Sequence, residues 1–360
     1  MTYDAIVAGA GIWGCTVARR LAEAGRKVLV LEKRAVVGGN CRCETDPETG
    51  IEVHVYGSHI FHTRNEEVWD FANRFTAFND YRHSVLARYK EKTYHLPIGC
   101  TLLKEFFGRD LKPSELNGAD REAIFEAFIR GYTSKQWGVP PEKVPASVVA
   151  RLKVRDSFST DYFDDPHQGI PADGYNVMFT RMLDHANIRV ETDVDFDLAS
   201  AAEWAQRGTR IFYSGPLDRL FDYRFGALPW RSLVFRRETL SCRDFQGASV
   251  VNYTEAEVPH TRIHEFKHYH PEWKDALAAA KTIVMREYPK AWAHGDEPYY
   301  PIDTSESAVL LKKYRDELEC FNRTFEQANI RTILNVGGRL GGFRYFDMDQ
   351  AMAAALAVSI

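Results

Sequence analysis

The stretch that most constrains this chain is YDAIVAGAGIWGCTVARRLAEAGRKVLVLEKRAVVGGN, residues 3–40. An apolar run, Ala5 to Ala8, enters Gly9-Ala10-Gly11-Ile12-Trp13-Gly14, an amphipathic segment follows, and a second apolar run, Val28 to Leu31, ends at Glu32. Short apolar runs flanking a segment of helical periodicity spell strand, tight turn, helix and parallel strand. Gly9 permits the sharp turn, Gly11 lets a pyrophosphate approach the backbone, and Gly14 lets the helix pack closely on the strand. The helix N-terminus adds unpaired N–H groups and the positive end of a dipole. Glu32 stands where an acceptor for ribose hydroxyls belongs. A lone glycine pattern is weak evidence, but strand, helix and acid agree here, and they favour a dinucleotide site over a glycine-rich structural turn.

Gly38-Gly39-Asn40 follows shortly after that acid. It resembles the second glycine signature of FAD-binding Rossmann proteins of the glutathione-reductase and amine-oxidase type, which nicotinamide dehydrogenases generally lack; the bland alternative is a loop that merely turns the chain. With 360 residues, 45% hydrophobic and 27% charged, the chain can hold two or three subdomains with real cores. A net charge of −4 gives no general attraction to nucleic acid or to an anionic membrane surface. The N-terminus enters the first strand directly, with no signal-like segment, and no run approaches the roughly 18 apolar residues of a membrane span. The expectation is a cytoplasmic protein with no nucleic-acid partner and no membrane insertion. Cysteines 15, 41, 43, 100, 242 and 320 are scattered, and Cys41-Arg42-Cys43 is neither a redox C-x-x-C nor a zinc pair, so they read as free thiols.

Further along, residues 51–56 alternate as a strand and lead into GSHIFHT at 57–63, where His59 and His62 beside a glycine suggest a site, though histidine also serves often as a structural donor. Residues 65–78 have helical periodicity with Asn65 as N-cap. The pattern from about 100 to 150 is helical. There Phe125, Phe128 and Tyr132 form a stripe that is either core or, with Trp137, a wall on which a flat heterocycle stacks. Arg151 and Arg155, followed by Tyr162, suit a diphosphate through bidentate guanidinium bonds, and equally suit surface salt bridges. Residues 188–194 and 210–213 read as strands, the second returning to the Rossmann sheet. From 230 to 300 alternation predicts antiparallel strands, with Arg262 near the start of one. His264, His268 and His270 would share one face of that strand with no carboxylate at regular spacing, so no metal is assigned. Residues 295–301, GDEPYYP, form a tight loop presenting two tyrosines, 305–319 an amphipathic helix, and 320–329 a polar connection. A strand at 331–336 ends in Gly337-Gly338-Arg339, and Asp347 or Asp349 caps a last alanine-rich helix.

The expected fold class is α/β: an FAD-binding Rossmann-like domain with a helical subdomain and an antiparallel β-sheet subdomain. Residues 1–65 with about 195–230 and 330–360 would make the first, about 66–150 the second, and about 151–194 with 231–329 the third, as a substrate subdomain.

Over nearly the whole chain the motifs resemble the UDP-galactopyranose mutase family. They are GAGIWG with LEKR and VGGN, YGSHIFHT, GYTSKQWG, DYFDDPHQGIP followed by DGY, SGPLDRLFDYRFGALPWRSL, NYTEAEVPHTRI, GDEPYYP and GGRLGGFRYFDM. The resemblance implies an isomerase, active with reduced FAD, that interconverts UDP-galactopyranose and UDP-galactofuranose through a covalent adduct of sugar C1 with flavin N5, with no net redox change, supplying furanose for cell-wall polysaccharide. It implies that Gly9, Gly11, Trp13, Gly14, Glu32, Lys33, Gly39, Asn40, His59, Ile60, Arg339, Asp347 and Met348 lie around FAD. Phe128 and Tyr132 would hold the uracil with Asn252 nearby. Trp137, Tyr162, Tyr300 and Tyr345 would contact the diphosphate or sugar, and Arg151 and Arg262 would clamp the phosphates. Arg151, Arg262, His59 and His62 are the implied catalytic residues, the partner is UDP-galactose, and a homodimer is the expected assembly.

Three departures bear on this. The chain between His95-Leu96-Pro97 and Gly131-Tyr132 looks shorter than in typical bacterial members, residues 319–332 look like an insertion, and His83 stands where the family has an asparagine lining the sugar pocket. Sister mutases acting on UDP-N-acetylgalactosamine or dTDP-6-deoxy sugars therefore stay open, although His62 in HIFH favours plain galactose. Two other classes share some of these features. A flavin oxidoreductase of the amine-oxidase type would need an apolar tunnel rather than arginines with aromatics, and a silent binding protein sits poorly with Arg151, Arg262 and His59 together.

Overall fold

A computed structural model describes residues 2–138, 140–143, 154–326 and 332–360. Its first layer is a five-stranded parallel sheet in the order Ile188–Glu191, Val28–Leu31, Ala5–Ala8, Arg210–Tyr213, Leu334–Val336. Alternation puts Val7, Val28, Val30 and Phe212 on one face and Ile6, Leu29, Leu31, Ile211 and Tyr213 on the other, and both faces are buried. A sheet covered on both sides must read as continuous apolar runs, which is why Ala5–Ala8 and Val28–Leu31 contain no polar residue. Helices Ile12–Glu23, Tyr175–Leu183 and Met348–Leu356 cover the first face, and Leu198–Gln206 lies on the second. Ile188–Glu191, expected in the antiparallel layer, instead pairs with Val28–Leu31, and Tyr175–Leu183 packs on Ile12–Glu23. The 175–194 segment is thus part of the Rossmann layer, because its apolar side has its complement there.

The second layer is a seven-stranded sheet in the order Tyr300–Pro301, Trp230–Leu240, Thr282–Ala291, Arg262–Glu265, Val250–Tyr253, Val85–Tyr89, Lys92–Leu96. It is antiparallel except where Val250–Tyr253 meets Val85–Tyr89. The helical subdomain expected from about 66 to 150 is therefore interrupted: after helix Glu66–Asn73 comes a hairpin belonging to this sheet, and helices resume from Cys100–Phe107 onward. Gly118–Ile124, a π-helical Phe125–Arg130 and Gly131–Trp137 follow as one continuous helical run. Gly131 lets it sit on the sheet: a Cβ there would fall 2.4 Å from the Thr254 carbonyl oxygen. Lys135 then locks the contact, its Nζ donating to the carbonyls of Tyr253, Val258 and His260 at 2.7, 2.9 and 3.0 Å. Burial pushes that ammonium down to about 8. The result fixes Tyr132 and Trp137 above the sheet that carries Arg262.

Two further expectations are corrected. The helix expected at 305–319 runs Ser305–Thr324, because its apolar stripe continues through Leu318 and Phe321 onto the second Rossmann core. The strand bearing His264 stops at Glu265, and Phe266–Tyr269 forms a 3-10 turn, so the three histidines do not share a face.

Candidate functional site

The glycine-rich turn lines a cleft of about 1150 Å³, counted with its open mouth. Gly9 adopts φ +102°, and a Cβ on it would strike Ser214 Oγ at 2.2 Å. On Gly14 a Cβ would sit 1.9 Å from the Gly9 carbonyl oxygen, so the helix lies directly on the turn. Gly11 differs: its nearest neighbour to a Cβ is Gly39 Cα at 3.8 Å, which leaves its exposed side for a ligand. The second glycine motif is sewn onto the first, Gly38 N–H donating to Ala10 O at 2.8 Å, with Gly39 at φ +58°. Glu32, buried, accepts from the N–H of Ala10 at 2.7 Å and of Arg34 at 3.0 Å while lining the cleft. The open face at Gly11, the helix N-terminus beyond it and the carboxylate at the strand end fit a dinucleotide.

Trp13, Lys33, Asn40, His59, Arg339, Asp347 and Met348 also line the cleft. Gly337 makes room for Trp13, since a Cβ there would lie 2.2 Å from the indole. Arg339 Nε donates to the Phe346 carbonyl at 3.1 Å, and its guanidinium lies over Tyr345 at 5.0 Å and Tyr300 at 5.8 Å. Asp347 is the N-cap residue of Met348–Leu356, and its N–H donates to Gln350 Oε1 at 3.1 Å. Ile60, by contrast, is core: its side chain belongs to the main apolar cluster and does not line the cleft. Sequence reasoning missed Arg34 and Glu297. Arg34 Nη2 bonds Asn40 Oδ1 and Glu297 Oε2, both at 3.0 Å, and its guanidinium lies over Tyr56 at 4.4 Å.

The tautomers of the two buried histidines nearby are fixed by their partners. His59 Nδ1 donates to Gly57 O at 2.7 Å, which leaves Nε2 a bare acceptor. The His59 N–H donates to His54 Nδ1 at 3.0 Å, so His54 carries its proton on Nε2. Burial holds His54 down to about 3 and, with Arg339 nearby, His59 down to about 4, so both are neutral at pH 7. Cys43, Glu52 and His54 offer ligand atoms within 4.8 Å of one another, but His54 Nε2 bears a proton and Glu52 accepts from His270 Nε2 at 2.8 Å. A similar group, Asp244, Glu265 and His268, has its Glu265 carboxylate committed to the N–H of Phe245 and Gln246 and the hydroxyl of Thr282.

Beside the cleft stands a cage of aromatic rings and one arginine. Tyr300 stacks on Tyr345, centroids 5.5 Å apart, and approaches Trp137 at 6.4 Å. Arg262 Nη2 donates to the Tyr132 hydroxyl, and its Nε lies 3.4 Å from Glu287 Oε1. Glu287 also receives Thr261 Oγ1 at 3.0 Å and His264 Nε2 at 3.3 Å. Burial alone would raise this carboxyl, yet Arg262 and His264 outweigh it and hold it down at about 2. Asn252, paired with Arg262 across the strands, has a buried Oδ1 with no hydrogen-bond partner among the described residues, an acceptor left for a ligand. His264 ties the cage to the cleft: its Nδ1 meets Ser58 Oγ at 2.5 Å, one residue from His59. Glu287, His264 and Ser58 were not assigned to the site from the sequence; a carboxylate two residues before Pro289 in an alternating strand gives no signal alone.

The remaining candidates fall as follows. His62 Nδ1 bonds Asp165 Oδ2 at 2.7 Å and its ring stacks on Phe163 at 3.6 Å. Phe163 in turn stacks on His83 at 5.4 Å, and Tyr162 meets His83 edge-on at 5.4 Å. Phe128 is enclosed by Tyr89, Tyr94 and Phe106 as part of a separate core, so it does not stand free beside Tyr132. Arg151 lies outside the described residues. Arg155, offered with it, is bound to the carbonyls of Asp161 and Tyr162 and to Asp164, which makes it a brace for that loop.

A glycine-built cleft that fits a dinucleotide, beside an arginine-centred aromatic cage on a second sheet, defines a Rossmann-type fold with two facing layers. Comparison with known proteins narrows this. The sequence profile of the UDP-galactopyranose mutase family matches residues 127–345, and that of the NAD(P)-binding Rossmann-like domain matches residues 7–75. A probable UDP-galactopyranose mutase of Klebsiella pneumoniae is 36% identical, over 98% of this chain and 92% of its own. A dTDP-fucopyranose mutase of Escherichia coli is 34% identical, over 98% and 96%. The crystal structure of a reduced UDP-galactopyranose mutase superposes with a TM-score of 0.70 at 15% identity, covering 99% of this chain and 94% of that one, which shows the shared fold. The chain belongs to the UDP-galactopyranose mutase family and is an isomerase of that kind.

Proposed function

We propose that this enzyme interconverts UDP-galactopyranose and UDP-galactofuranose, holding FAD in the glycine-lined cleft and the nucleotide sugar in the cage against it. The observation that carries the reading is the pairing of Arg262 with Tyr132 and an ionised Glu287 in a cage with an unpartnered Asn252 Oδ1. A carboxyl held at about 2 is no acid at neutral pH, and the neutral His59 holds its proton on an Nδ1 already hydrogen-bonded to the Gly57 carbonyl. The chain is thus equipped for positioning and charge stabilisation rather than proton transfer. Gly11, Glu32, Asn40 and Arg339 would hold FAD in the cleft, where the reduced flavin would supply nucleophilic N5 chemistry toward the sugar with no net redox change. Arg262 and Tyr132 stabilise the departing diphosphate, Tyr300, Tyr345 and Trp137 exclude water, and Arg339 braces the tyrosine pair beside the cleft. We further take the protein to work in the cytoplasm as a homodimer; among the described residues no helix is long and apolar enough to cross a membrane.

The experiment is anaerobic incubation of dithionite-reduced protein with UDP-galactofuranose, following UDP-galactopyranose by chromatography beside an oxidised sample. Conversion in the reduced sample alone supports the reading; its absence with reduced flavin bound refutes it. The relative named dTDP-fucopyranose mutase motivates a second reading, the same chemistry on a dTDP-deoxy sugar, and dTDP-fucofuranose is its substrate control.

A further inference from the structure

His264 lies fully buried in the central strand of the seven-stranded sheet, where an imidazole carries a desolvation cost that an apolar side chain would avoid. Both of its ring nitrogens are engaged, each by a different part of the molecule. Glu287 is ionised and can only accept, so the Nε2 that faces its Oε2 at 3.3 Å carries the proton. Nδ1 is then the acceptor, and Ser58 Oγ, 2.5 Å away, donates to it. With that proton committed, Ser58 Oγ accepts from the Tyr269 hydroxyl. Each bond in this set therefore has one direction only.

On one side of His264 stands the turn Gly57-Ser58-His59, whose last residue lines the glycine-built cleft. That turn is fixed from several directions: the His59 N–H donates to His54 Nδ1 at 3.0 Å, and the Gly57 N–H to His54 O at 3.3 Å. It also rests on the carboxylate itself, since a Cβ on Gly57, at φ +90°, would fall 3.7 Å from Glu287 Oε2 and 3.2 Å from the Phe235 ring. On the other side, Glu287 Oε1 faces Arg262 Nε at 3.4 Å, and that Nε has no hydrogen-bond partner among the described residues. Charge rather than a hydrogen bond thus aims this edge of the guanidinium, and the orientation of Glu287 decides where it points. One imidazole holds both the carboxylate that aims Arg262 and the turn that presents His59.

We propose that His264 is a positioning residue that couples the two sites: a diphosphate seated on Arg262 tightens the hold of the cleft on its dinucleotide, and the dinucleotide tightens the hold of Arg262 on the diphosphate by the same factor. The path is a contiguous set of contacts, Arg262 to Glu287 to His264 to Ser58. A diphosphate draws the guanidinium from Glu287, whose charge then rests more fully on the His264 Nε2–H, and this fixes the ring, Ser58 and the turn. A ligand filling the cleft meets His59 and fixes the same ring from the opposite side. Whichever ligand binds first has already ordered what the second needs ordered. The inference rests on the reading of cleft and cage as the FAD and nucleotide-sugar sites.

The test uses the holoenzyme, with UDP as the probe of the cage. The FAD dissociation constant is read from the flavin fluorescence released as holoenzyme is diluted, with and without saturating UDP, and calorimetry confirms that UDP is bound. In the wild type UDP should lower that constant about 5- to 100-fold. His264→Leu and Ser58→Ala should each bring the factor to within about 2-fold of unity, and the double variant should lose no more than either alone. The factor is a ratio taken within one variant, so a general loss of stability leaves it unmoved. Ser58→Ala cuts the path on the cleft side without touching Glu287 or Arg262, and it decides the matter if His264→Leu does not fold. A factor that survives in Ser58→Ala overturns the proposal, as does a wild-type factor of unity with UDP bound, and both results leave the nucleotide-sugar reading standing. A wild type that binds FAD but no UDP overturns both.

Discussion

The cleft and the cage are built from opposite materials. The cleft is mainly backbone: Gly9, Gly11, Gly14, Gly38 and Gly39 bring chain against chain, and its decisive property is where a Cβ cannot go. The cage is side chain: Tyr132, Arg262, Glu287, Tyr300 and Tyr345 come from elements far apart in sequence and meet by ring contacts and charge. A backbone site should fail by adding a carbon, and a side-chain site by losing a charge.

The largest effect expected is at Gly14. Gly14→Val places carbon against the Gly9 carbonyl, lifts the helix off its strand and costs about 3 kcal/mol or more, read as loss of soluble holoprotein. Gly11→Ala should behave differently, because its new methyl meets only Gly39 Cα at 3.8 Å. Urea stability should stay within about 0.5 kcal/mol, while flavin affinity falls on the order of 10- to 100-fold as the methyl meets the pyrophosphate. Unchanged flavin affinity there would break the contrast.

For the cage the matching variant is Arg262→Ala. Loss of a fully engaged arginine should lower kcat/KM roughly 30- to 1000-fold, about 2–4 kcal/mol of transition-state stabilisation, with the yellow flavin retained. Release of flavin would show that Arg262 belongs to the cleft instead. The variant also strands Glu287 as a buried, unpaired carboxylate. Adding Glu287→Gln should therefore restore part of the lost thermal stability and none of the turnover.

These two regions were not equally legible. The cleft could be read because glycine leaves a mark at fixed spacing: the strand, turn, helix and acid of residues 5–32 fold as their pattern dictates. Ile188–Glu191 was misplaced because a four-residue run carries no label for the sheet it joins. In the cage, motif resemblance named Tyr132, Arg262, Tyr300 and Tyr345, but no local pattern could tell that Glu287 and Ser58 complete it, since their partners are long-range. Phe128 went to a core for the same reason: helical spacing gives a face, not what covers it.

Acid is the probe that strikes where cage and cleft join. His54, His59 and His83 are neutral in the fold, held by burial at about 3, 4 and 3. Unfolded, each would titrate near 6.5, so the unfolded chain takes up more protons below that value. Stability is fully present above about 6.5 and drains as pH falls towards the folded values, by about 1.4 kcal/mol per unit for each ring. Urea midpoints should drop steeply between pH 6.5 and 4, and His83→Asn should flatten the slope by about one ring's share. A midpoint unchanged to pH 4.5 would mean these rings are not sealed.

The smallest difference tests the cleft at its one side-chain-built edge. Lys33 and Arg34 both pair with Glu297, at 2.9 and 3.0 Å, and family resemblance pointed to Lys33. Their surroundings differ. Lys33 is 39% exposed, and an exposed pair contributes under about 1 kcal/mol and is screened by salt. Arg34 is 14% exposed, also holds Asn40 Oδ1 and lies over Tyr56, so its removal leaves two cleft acceptors short of a donor. Lys33→Met should therefore change the flavin dissociation constant by less than about 3-fold, an effect erased in 0.5 M salt. Arg34→Met should weaken it roughly 5- to 100-fold, largely independent of salt. Fluorescence titration of the two apo-variants at low and high salt reads both. The reverse order would mean that Lys33 reaches the cofactor directly, and that this edge, like the cage, is governed by charge rather than by shape.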